Sequence, residues 1–284
     1  MLFRTTILKS AFLVFALSHT GCIIVGQGSG MWTETQTEVL NLDPANLRNL
    51  EVQTQNGSIE FSGRNDQPST ATVKVTKKVS SGRFSSADDA LNAIEVFVEP
   101  AHDGTQRVGW RWREPRHSSW SACVDFAITT PEQVNLTAVS HNGEIKVCGA
   151  RGETNITTHN GEINVQSTDG KLVAETHNGR ISAKYQGSSI GLVSHNGRVS
   201  VDLSKCGDVG GEVMTYNGAV DVVVSDQTSA NLSCKTHNGR VTIDGTFNAT
   251  TSGKSHAEGK LGAGGKPLEV STHNGAIRFK KVSG

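Results

Sequence analysis

The sequence of 284 residues has few aromatic residues, few prolines and no excess of charge of either sign. Lys plus Arg and Asp plus Glu number 27 each, so the basic surface typical of nucleic-acid binding proteins is missing. A hydrophobic share of 35% with 5% aromatic residues predicts a lean globular core rather than a disordered chain. Only six prolines accompany 31 glycines, and Ser, Thr, Asn and Val are abundant. This composition favours short strands separated by turns, and therefore an all-β fold.

The chain also lacks a hydrophobic run long enough to span a bilayer as a helix. Its N-terminal apolar segment, residues 11–17, is short and follows Arg4 and Lys9. This pattern predicts an export signal over residues 1–21. Without those two basic residues the remaining chain carries 25 basic against 27 acidic residues, a net charge near −2.

The end of this segment, Leu17-Ser18-His19-Thr20-Gly21-Cys22, resembles the lipobox of bacterial lipoproteins. In that motif a Cys after a small residue is lipidated and becomes the mature N-terminus. The match is partial because His19 stands where the motif usually has Leu. The sequence predicts a lipid anchor at Cys22, with ordinary signal-peptidase cleavage as the alternative.

Four other cysteines remain in a chain predicted to leave the cytoplasm: Cys123, Cys148, Cys206 and Cys234. An even number in an oxidising compartment is compatible with two disulfides. The nearer pairs in sequence, Cys123 with Cys148 and Cys206 with Cys234, are the predicted bridges. Free buried thiols are the alternative, because Cys234 occupies a repeat position otherwise filled by Ala, Ile, Leu or Val.

A repeated phrase dominates the second half of the chain: Ser or Thr, then His or Tyr, then Asn-Gly, a variable residue and Ile or Val. Successive Asn-Gly pairs are 18, 18, 18, 21, 21 and 36 residues apart, and an isolated copy lies upstream in residues 50–61. Fixed periods of this length indicate a repeat architecture. The predicted turns are Asn56-Gly57, Asn142-Gly143, Asn160-Gly161, Asn178-Gly179, Asn196-Gly197, Asn217-Gly218, Asn238-Gly239 and Asn274-Gly275.

Apolar and polar residues alternate on both sides of each Asn-Gly pair, which predicts two half-buried strands joined by a tight turn with positive φ. A parallel β-solenoid and an antiparallel β-meander both fit this pattern. We favour the solenoid because stacked coils about 4.8 Å apart would place the repeated Asn residues in a hydrogen-bonded ladder. A meander gives no reason to repeat Asn, His and Thr in every second turn.

After the export signal the chain divides into three predicted regions. Residues 22–48 form a tether and the start of a cap, residues 49–135 form a β-rich N-terminal cap, and residues 136–284 form the repeat domain. Strands are predicted at 49–61, 70–79, 94–99 and 122–128. A short helix is predicted at 87–94, capped by Ser85 or Ser86. The Gly- and Lys-rich segment 253–266 is predicted to be a loop that replaces a missing turn.

These motifs resemble the DUF4097 family of β-strand-repeat proteins. The resemblance rests on the run Ile128-Thr129-Thr130-Pro131-Glu132-Gln133-Val134-Asn135-Leu136, on the repeated Thr-His-Asn-Gly-x-Ile phrase, and on the late copy in residues 267–275. It extends from about Leu50 to the C-terminus. The family is described as "putative adhesin" on architecture more than on demonstrated activity. The resemblance implies a bacterial envelope protein with a β-solenoid-like core.

A column of histidines is the most conspicuous candidate site, and its members are His141, His159, His177, His195, His237 and His273, with Tyr216 in one place. Imidazoles on adjacent coils could share a transition metal. No carboxylate or thiol recurs beside them to complete a first shell, so stacking in solvent is the favoured interpretation and no metal or cofactor is predicted.

A second candidate is the strand around Trp110 and Trp112, whose side chains are predicted to share one face while Arg111 and Arg113 share the other. The two indoles either seal the end of the column, which is the favoured interpretation, or form an aromatic platform for a glycan or partner. No pair of carboxylates suited to cleaving sugars is evident, so no catalytic residue is predicted.

Together these observations predict an exported, lipid-anchored, non-enzymatic scaffold of the cell envelope that acts as an adhesin or binds an envelope polysaccharide. Its contacts would be weak, repeated and additive. Two alternatives stay open: a module that binds another envelope protein in an envelope-stress system, and metal binding along the histidine column. Nucleic acid is not a predicted partner.

Overall fold

The computed structural model describes residues 32–66, 71–82, 86–113, 117–244 and 248–282. The predicted export signal and lipid site at Cys22 lie outside these residues. In the described part the strands, in chain order, are β1 (Trp32–Asn41), β2 (Asn49–Asn56), β3 (Ile59–Arg64), β4 (Thr72–Ser81), β5 (Ile94–Pro100), β6 (Thr105–Trp112), β7 (Ser121–Pro131), β8 (Asn135–Asn142), β9 (Ile145–Cys148), β10 (Thr154–Thr158), β11 (Ile163–Thr168), β12 (Leu172–Thr176), β13 (Ile181–Tyr185), β14 (Ser189–Asn196), β15 (Val199–Asp202), β16 (Gly210–Asn217), β17 (Val220–Val224), β18 (Ala230–Asn238), β19 (Val241–Asp244), β20 (Asn248–Ser252), β21 (His256–Leu261), β22 (Pro267–Asn274) and β23 (Ile277–Lys281). One α-helix, α1 (Ala87–Asn92), and two 3-10 turns, Pro44–Asn46 and His102–Gly104, accompany them. Within the described ranges, no helix has the length and apolar character needed to cross a membrane.

The strands form two large sheets that face each other across the core. One has eleven strands in the order β1-β4-β7-β3-β9-β11-β13-β15-β17-β23-β19. The other has twelve, in the order β20-β21-β18-β22-β16-β14-β12-β10-β8-β2-β6-β5. From β8 to β17 successive strands alternate between the sheets, and neighbours within each sheet are parallel. This arrangement confirms the all-β parallel solenoid and not the antiparallel meander.

Alternation of side chains explains how each coil buries one face of each strand. In β12, Leu172 and Ala174 are fully buried, whereas Val173 and Glu175 are exposed. After the Asn-Gly turn, Ile181 of β13 resumes the inward pattern in the opposite sheet. Equivalent apolar residues stack from coil to coil at about 4.8 Å and form one continuous core.

The isolated upstream copy of the repeat is itself a coil of this stack. Strand β2 pairs in parallel with β8, so that Asn56 lies opposite Asn142. Strand β3 pairs in parallel with β9, which places Ile59 opposite Ile145. Strands β6 and β7 continue the two sheets by one more level beneath it. Residues separated by more than 80 positions therefore become direct neighbours.

Antiparallel strands and the helix cover the N-terminal end of the stack. Strand β5 pairs with β6, and β4 lies between β7 and β1. The helix starts at the predicted place, with the Ser86 hydroxyl accepting a hydrogen bond from the Asp89 amide at 3.2 Å. It ends at Asn92 rather than Ile94, because Ile94 begins β5. Its buried residues, Ala87 and Ala90, face the core beside β1, β4 and β5.

The C-terminal end differs from the prediction of a plain loop over residues 253–266. That segment contains β21, which pairs antiparallel with both β18 and β20 and covers the open edge of β18. Strand β22 then enters between β16 and β18 and pairs in parallel with each. The last repeat unit is therefore inserted between the two units that precede it in the chain.

The predicted disulfides do not form, and all four described cysteines are free thiols. Ile59 of β3 pairs with both Phe126 of β7 and Ile145 of β9, so Phe126 and Ile145 lie at the same level along the strands. Cys123 lies three residues before Phe126, and Cys148 lies three residues after Ile145. The two cysteines are thus about six residues apart along the strands, or roughly 20 Å, far beyond the reach of a disulfide.

The second predicted bridge does not form because its two cysteines lie in different coils of the stack. The Cys206 thiol donates to the Tyr185 carbonyl at 3.3 Å, toward the coil of β13. Cys234 lies on β18, on the far side of β22 from β16. Burial raises the pKa of each of these two thiols to about 12, so they act as core residues.

Candidate functional site

The repeated Asn side chains form a single hydrogen-bonded ladder along the outer edge of the stack, as the sequence predicts. Each amide nitrogen donates to the amide oxygen of the neighbouring coil at 2.8–2.9 Å. The rungs follow the order Asn56, Asn142, Asn160, Asn178, Asn196, Asn217, Asn274 and Asn238. All seven bonds have the same direction, an arrangement in which each bond polarises the next.

The Ser or Thr two positions before each Asn from Asn142 onward has an equally regular role inside the stack. Its hydroxyl is buried and donates to the carbonyl of the turn Gly in the coil below. Thr176, for example, donates to Gly161 at 3.0 Å, and Thr158 donates to Gly143 at 3.1 Å. The same bond is made by Ser140, Ser194, Thr215, Thr272 and Thr236. These hydroxyls satisfy carbonyl groups that would otherwise be buried unpaired at the turns.

The turn glycines are required by close approach and not, as predicted, by positive φ. Among the described turn residues only Gly57 has a positive φ, of 147°. At Gly161 a Cβ atom would overlap the carbonyl oxygen of Gly143, and the same overlap recurs through the column. Any larger residue would force adjacent coils apart.

The histidines and Tyr216 form a column of stacked rings on the exposed face of the twelve-stranded sheet. Neighbouring imidazoles from His141 to His195 have centroids 4.7–4.9 Å apart and planes within 24° of parallel. Tyr216 continues the stack, followed by His273 and then His237. We call these seven rings the ring column. It extends over about 30 Å at the spacing of β-strands.

This geometry does not converge on a metal ion. The lone pairs of an imidazole lie in the plane of its ring, so the lone pairs of stacked parallel rings lie in separate parallel planes and do not meet at one point. A zinc ion needs several ligands at about 2.0–2.1 Å. The described residues contain no group of three or more His, Cys, Asp or Glu arranged to hold a metal. Because each ring face is covered by its neighbour, the column offers solvent a ribbon of ring edges.

The ring column runs into a groove at the N-terminal end of the same sheet face. The groove encloses about 660 Å³, within the range of roughly 300–1,000 Å³ typical of ligand sites. Strands β2 and β6 pair only as far as Val52 and Val108, although both strands continue. We call the depression beyond that point the aromatic groove. Its lining includes Phe97, Trp110, Trp112, Arg111, Gln53, Gln55, Val139, Thr157, Glu175, His141, His159 and His177.

Trp110 is fixed in the groove by its indole nitrogen. The N–H donates to the Thr54 hydroxyl at 3.1 Å, and that hydroxyl donates to the Val124 carbonyl at 3.0 Å. Trp110 also packs edge-to-face on Trp112, with centroids 5.7 Å apart. Both indoles are half-buried against the core, as the structural interpretation predicts, and both also line the groove. Since its N–H is already bonded, Trp110 contributes ring carbon surface.

Phe97, on β5, also lines the groove. It pairs with Gly109 of β6, where a Cβ atom would come within 2.7 Å of the phenyl ring. The Arg111 guanidinium lies 5.1 Å from the centre of the same ring. Glycine at position 109 therefore allows the phenyl ring to lie across β6, and Arg111 holds it there.

Arg111 is also neutralised by two carboxylates. It donates to Glu95 at 3.1 Å through two nitrogens and to Glu99 at 3.3 Å. These hydrogen bonds lower the pKa of Glu95 and raise the pKa of Arg111, so both groups stay charged. Farther along the sheet face, the exposed charges on β12, β16, β22 and β18 are Glu175, Glu212, Glu269 and Lys235. The face as a whole is weakly acidic.

The structure thus brings together two candidates that the sequence kept apart, the histidine column and the Trp110–Trp112 strand. Sequence reasoning missed Phe97, Gln53, Gln55 and Glu175 as members of the same site. A signal existed for the glutamines, because they occupy the positions of Val139 and His141 in the upstream repeat. None marked Phe97, whose position depends on the pairing of β5 with β6.

No family model matches this chain, and no curated relative is similar to it. Solved structures resemble it only distantly. A putative adhesin from Bacteroides fragilis NCTC 9343 is 10% identical, with 86% of this chain and 97% of that chain covered and a TM-score of 0.48. A putative cell adhesion protein from Clostridium sporogenes ATCC 15579 is 12% identical, with 88% and 100% covered and a TM-score of 0.35. A putative lipid binding protein from Parabacteroides distasonis ATCC 8503 is 8% identical, with 87% and 97% covered and a TM-score of 0.36. At such values these likenesses assign neither a family nor a function.

Proposed function

We propose that this protein is an exported, non-enzymatic scaffold of the bacterial cell envelope that binds an envelope polysaccharide. The observation that carries the proposal is the continuity of the aromatic groove with the ring column. A groove with aromatic walls accommodates one segment of a polymer, and the column offers further polar ring edges at a regular spacing. An extended, repetitive ligand uses both, since weak contacts made in series add up through multivalency.

The roles of the repeated residues support a binding function that is local as well as distributed. The Asn, Gly and Ser or Thr of each unit are engaged in holding adjacent coils together. What remains for a ligand is the outward-facing residues and the places where the repeat is interrupted. The aromatic groove is such an interruption, because β6 there carries Trp110 and Trp112 in place of the repeat phrase.

The non-enzymatic part of the proposal rests on the composition of the groove. Cleavage of a glycosidic bond by the usual mechanism requires two carboxyl groups on either side of the bond. Among the described residues that line the groove, Glu175 is the single carboxylate. Placement in the envelope rests on the predicted export signal and on Cys22.

A pull-down tests the proposal. The secreted form, lacking residues 1–21 and with Cys22→Ser, is incubated with immobilised polysaccharide from bacterial envelopes and, in parallel, with detergent-solubilised envelope proteins. We expect saturable binding to the polysaccharide that weakens with Phe97→Ala and is retained with Val39→Ala, an exposed residue on β1 remote from the groove. Saturable binding to one protein and to no polysaccharide would replace the proposal with the partner-binding alternative.

A further inference from the structure

We infer that the aromatic groove selects an uncharged, hydroxyl-rich saccharide and discriminates against acidic glycans. This inference rests on the proposed function and specifies its ligand. It follows from three properties of the groove: the absence of an available Arg or Lys among its described lining residues, the apolar surface of its indole wall, and the amide and hydroxyl groups among its hydrogen-bonding side chains.

The charge of the groove disfavours an anion. Arg111 is the only Arg or Lys among the described lining residues, and its guanidinium is committed to Glu95 and Glu99. Protein sites that recognise carboxylates or phosphates use Arg in a free, bidentate geometry, which is not available here. Glu175 adds a further negative charge on the lining. An acidic glycan would meet these carboxylates without a compensating ion pair to Arg or Lys.

The indole wall suits the C–H face of a sugar ring. Trp110 cannot donate a hydrogen bond to a ligand without breaking its bond to Thr54, so its accessible surface is carbon. The network from Trp110 through Thr54 to Val124 fixes the orientation of the indole before any ligand arrives. A wall that is rigid in advance lowers the entropic cost of binding.

The polar groups on the other side of the groove are neutral and serve both as donors and as acceptors. The Gln53 and Gln55 amides are exposed, and Thr157 lies two strands away on the same sheet face, beyond Val139. The imidazole edges of His141 and His159 lie next to these groups on the same sheet face. A hydroxyl group also donates and accepts, so such a surface matches a row of hydroxyls better than a row of carboxylates.

Isothermal titration of the secreted form with two probes tests the inference: the uncharged and the acidic polysaccharide fractions isolated from bacterial envelopes. We expect the uncharged fraction to bind at least about tenfold more tightly per repeating unit than the acidic fraction. Gln53→Ala should weaken binding of the uncharged fraction by about tenfold. Ser271→Ala, at the equivalent register position on β22, should change it by less than about twofold.

A charge-introducing variant separates recognition from folding. Gln55 is exposed and lines the groove, so Gln55→Arg should fold normally and should raise the affinity for the acidic fraction by at least about fivefold while weakening that for the uncharged fraction. Circular dichroism and the midpoint of urea unfolding confirm the fold. A merely structural role for position 55 would not shift the preference toward the acidic fraction.

The outcomes distinguish this inference from the proposed function. Equal or tighter binding of the acidic fraction by the unmodified protein overturns the selectivity and leaves polysaccharide binding in place. Binding of neither fraction overturns both. Binding of the uncharged fraction that Gln53→Ala and Gln55→Arg leave unchanged places the saccharide elsewhere and overturns the assignment to the groove.

Discussion

The side-chain nitrogen of Asn238 donates a 2.8 Å hydrogen bond to the side-chain oxygen of Asn274, a residue 36 positions later in the chain. In the six other rungs of the ladder the donor is the later residue. The reversal marks the place where the last repeat unit enters the stack between two earlier units. The coil formed by β18 and β19 therefore rests on a coil made later in the chain.

Because Asn274 lies inside the ladder and Asn238 lies at its end, replacing them should lower the free energy of unfolding by unequal amounts. Asn274→Ala deletes two hydrogen bonds in the interior of the ladder, whereas Asn238→Ala deletes only the last one. We expect the free energy of unfolding to fall by about 1–2 kcal/mol for Asn274→Ala and by about half as much for Asn238→Ala, because a net hydrogen bond is worth about 1 kcal/mol. Urea unfolding measures both. Equal losses would mean that the ladder does not stabilise this insertion.

The contact between stacked turns predicts that alanine at Gly161 is poorly tolerated. Its Cβ atom would overlap the Gly143 carbonyl oxygen, and that oxygen also accepts the Thr158 hydroxyl. We expect Gly161→Ala to lower the free energy of unfolding by more than about 2 kcal/mol.

Gly207 is the matched control for this substitution. No heavy atom lies within 4 Å of the position that its Cβ would occupy, so Gly207→Ala should change the free energy of unfolding by no more than about 0.5 kcal/mol. Thermal or urea unfolding compares the two variants. A Gly161→Ala variant as stable as Gly207→Ala would show that the coils can separate at little cost.

The free thiols predict an order of chemical labelling. Cys148 is exposed and Cys123 is half-buried, whereas Cys206 and Cys234 are buried with pKa values of about 12. The thiolate is the reactive form, so at pH 8 the two buried residues should react with a maleimide at least about a thousandfold more slowly than an unperturbed thiol.

Peptide mapping by mass spectrometry gives the order for each cysteine, with urea-unfolded protein as the control in which all react. We expect Cys148 to react first. If Cys148 and Cys206 became reactive only after treatment with a reductant, the disulfides predicted from the sequence would be present after all.

The hydrogen bonds accepted by Asp125 predict that the protein loses stability in acid. Burial by itself raises the pKa of this carboxyl, but hydrogen bonds from Lys78 at 2.7 Å and from the Ser58 amide and hydroxyl at 2.7 and 2.9 Å outweigh it and lower the pKa. The folded state therefore holds its proton less tightly than the unfolded state. The stabilisation is fully present above the pKa of this carboxyl in the unfolded state, about 3.9, and is lost as the pH falls through its lower pKa in the folded state.

Urea unfolding between pH 2.5 and 6 checks this expectation. The unmodified protein should lose more stability on acidification than Asp125→Asn does, and the two curves should approach each other at the acidic end. Glu258→Gln, an exposed residue on β21 for which no ion pair is found among the described residues, serves as the control. Parallel curves for the unmodified protein and Asp125→Asn would show that Asp125 gains nothing from its partners on folding.

Much of the stack could be predicted from residue patterns. The alternation around Asn178 gives two half-buried strands, and the identity of Asn in every unit indicates a ladder. Both follow from local periodicity, because a coil whose residues point alternately inward and outward stacks on a copy of itself. The reason for the turn glycines could not be predicted in this way. Positive φ and close approach both favour Gly, and only the position of the Gly143 carbonyl against Gly161 separates them.

The sequence by itself determined the repeat, the two-sheet alternation and the identity of the stacked columns, since these depend on residues within one unit and its equivalent in the next. Only the tertiary structure decided the order in which the units stack. Near-identical motifs offer near-identical contacts, so Asn274 can pair with Asn217 and Asn238 while Asn56 pairs with Asn142 across 86 residues. The tertiary structure also decided where the aromatic groove forms, because Gln53, Phe97 and His159 belong to three distant segments of the chain. They meet only when β5 and β6 join the sheet beside β2, an association that depends on long-range pairing and on no local pattern.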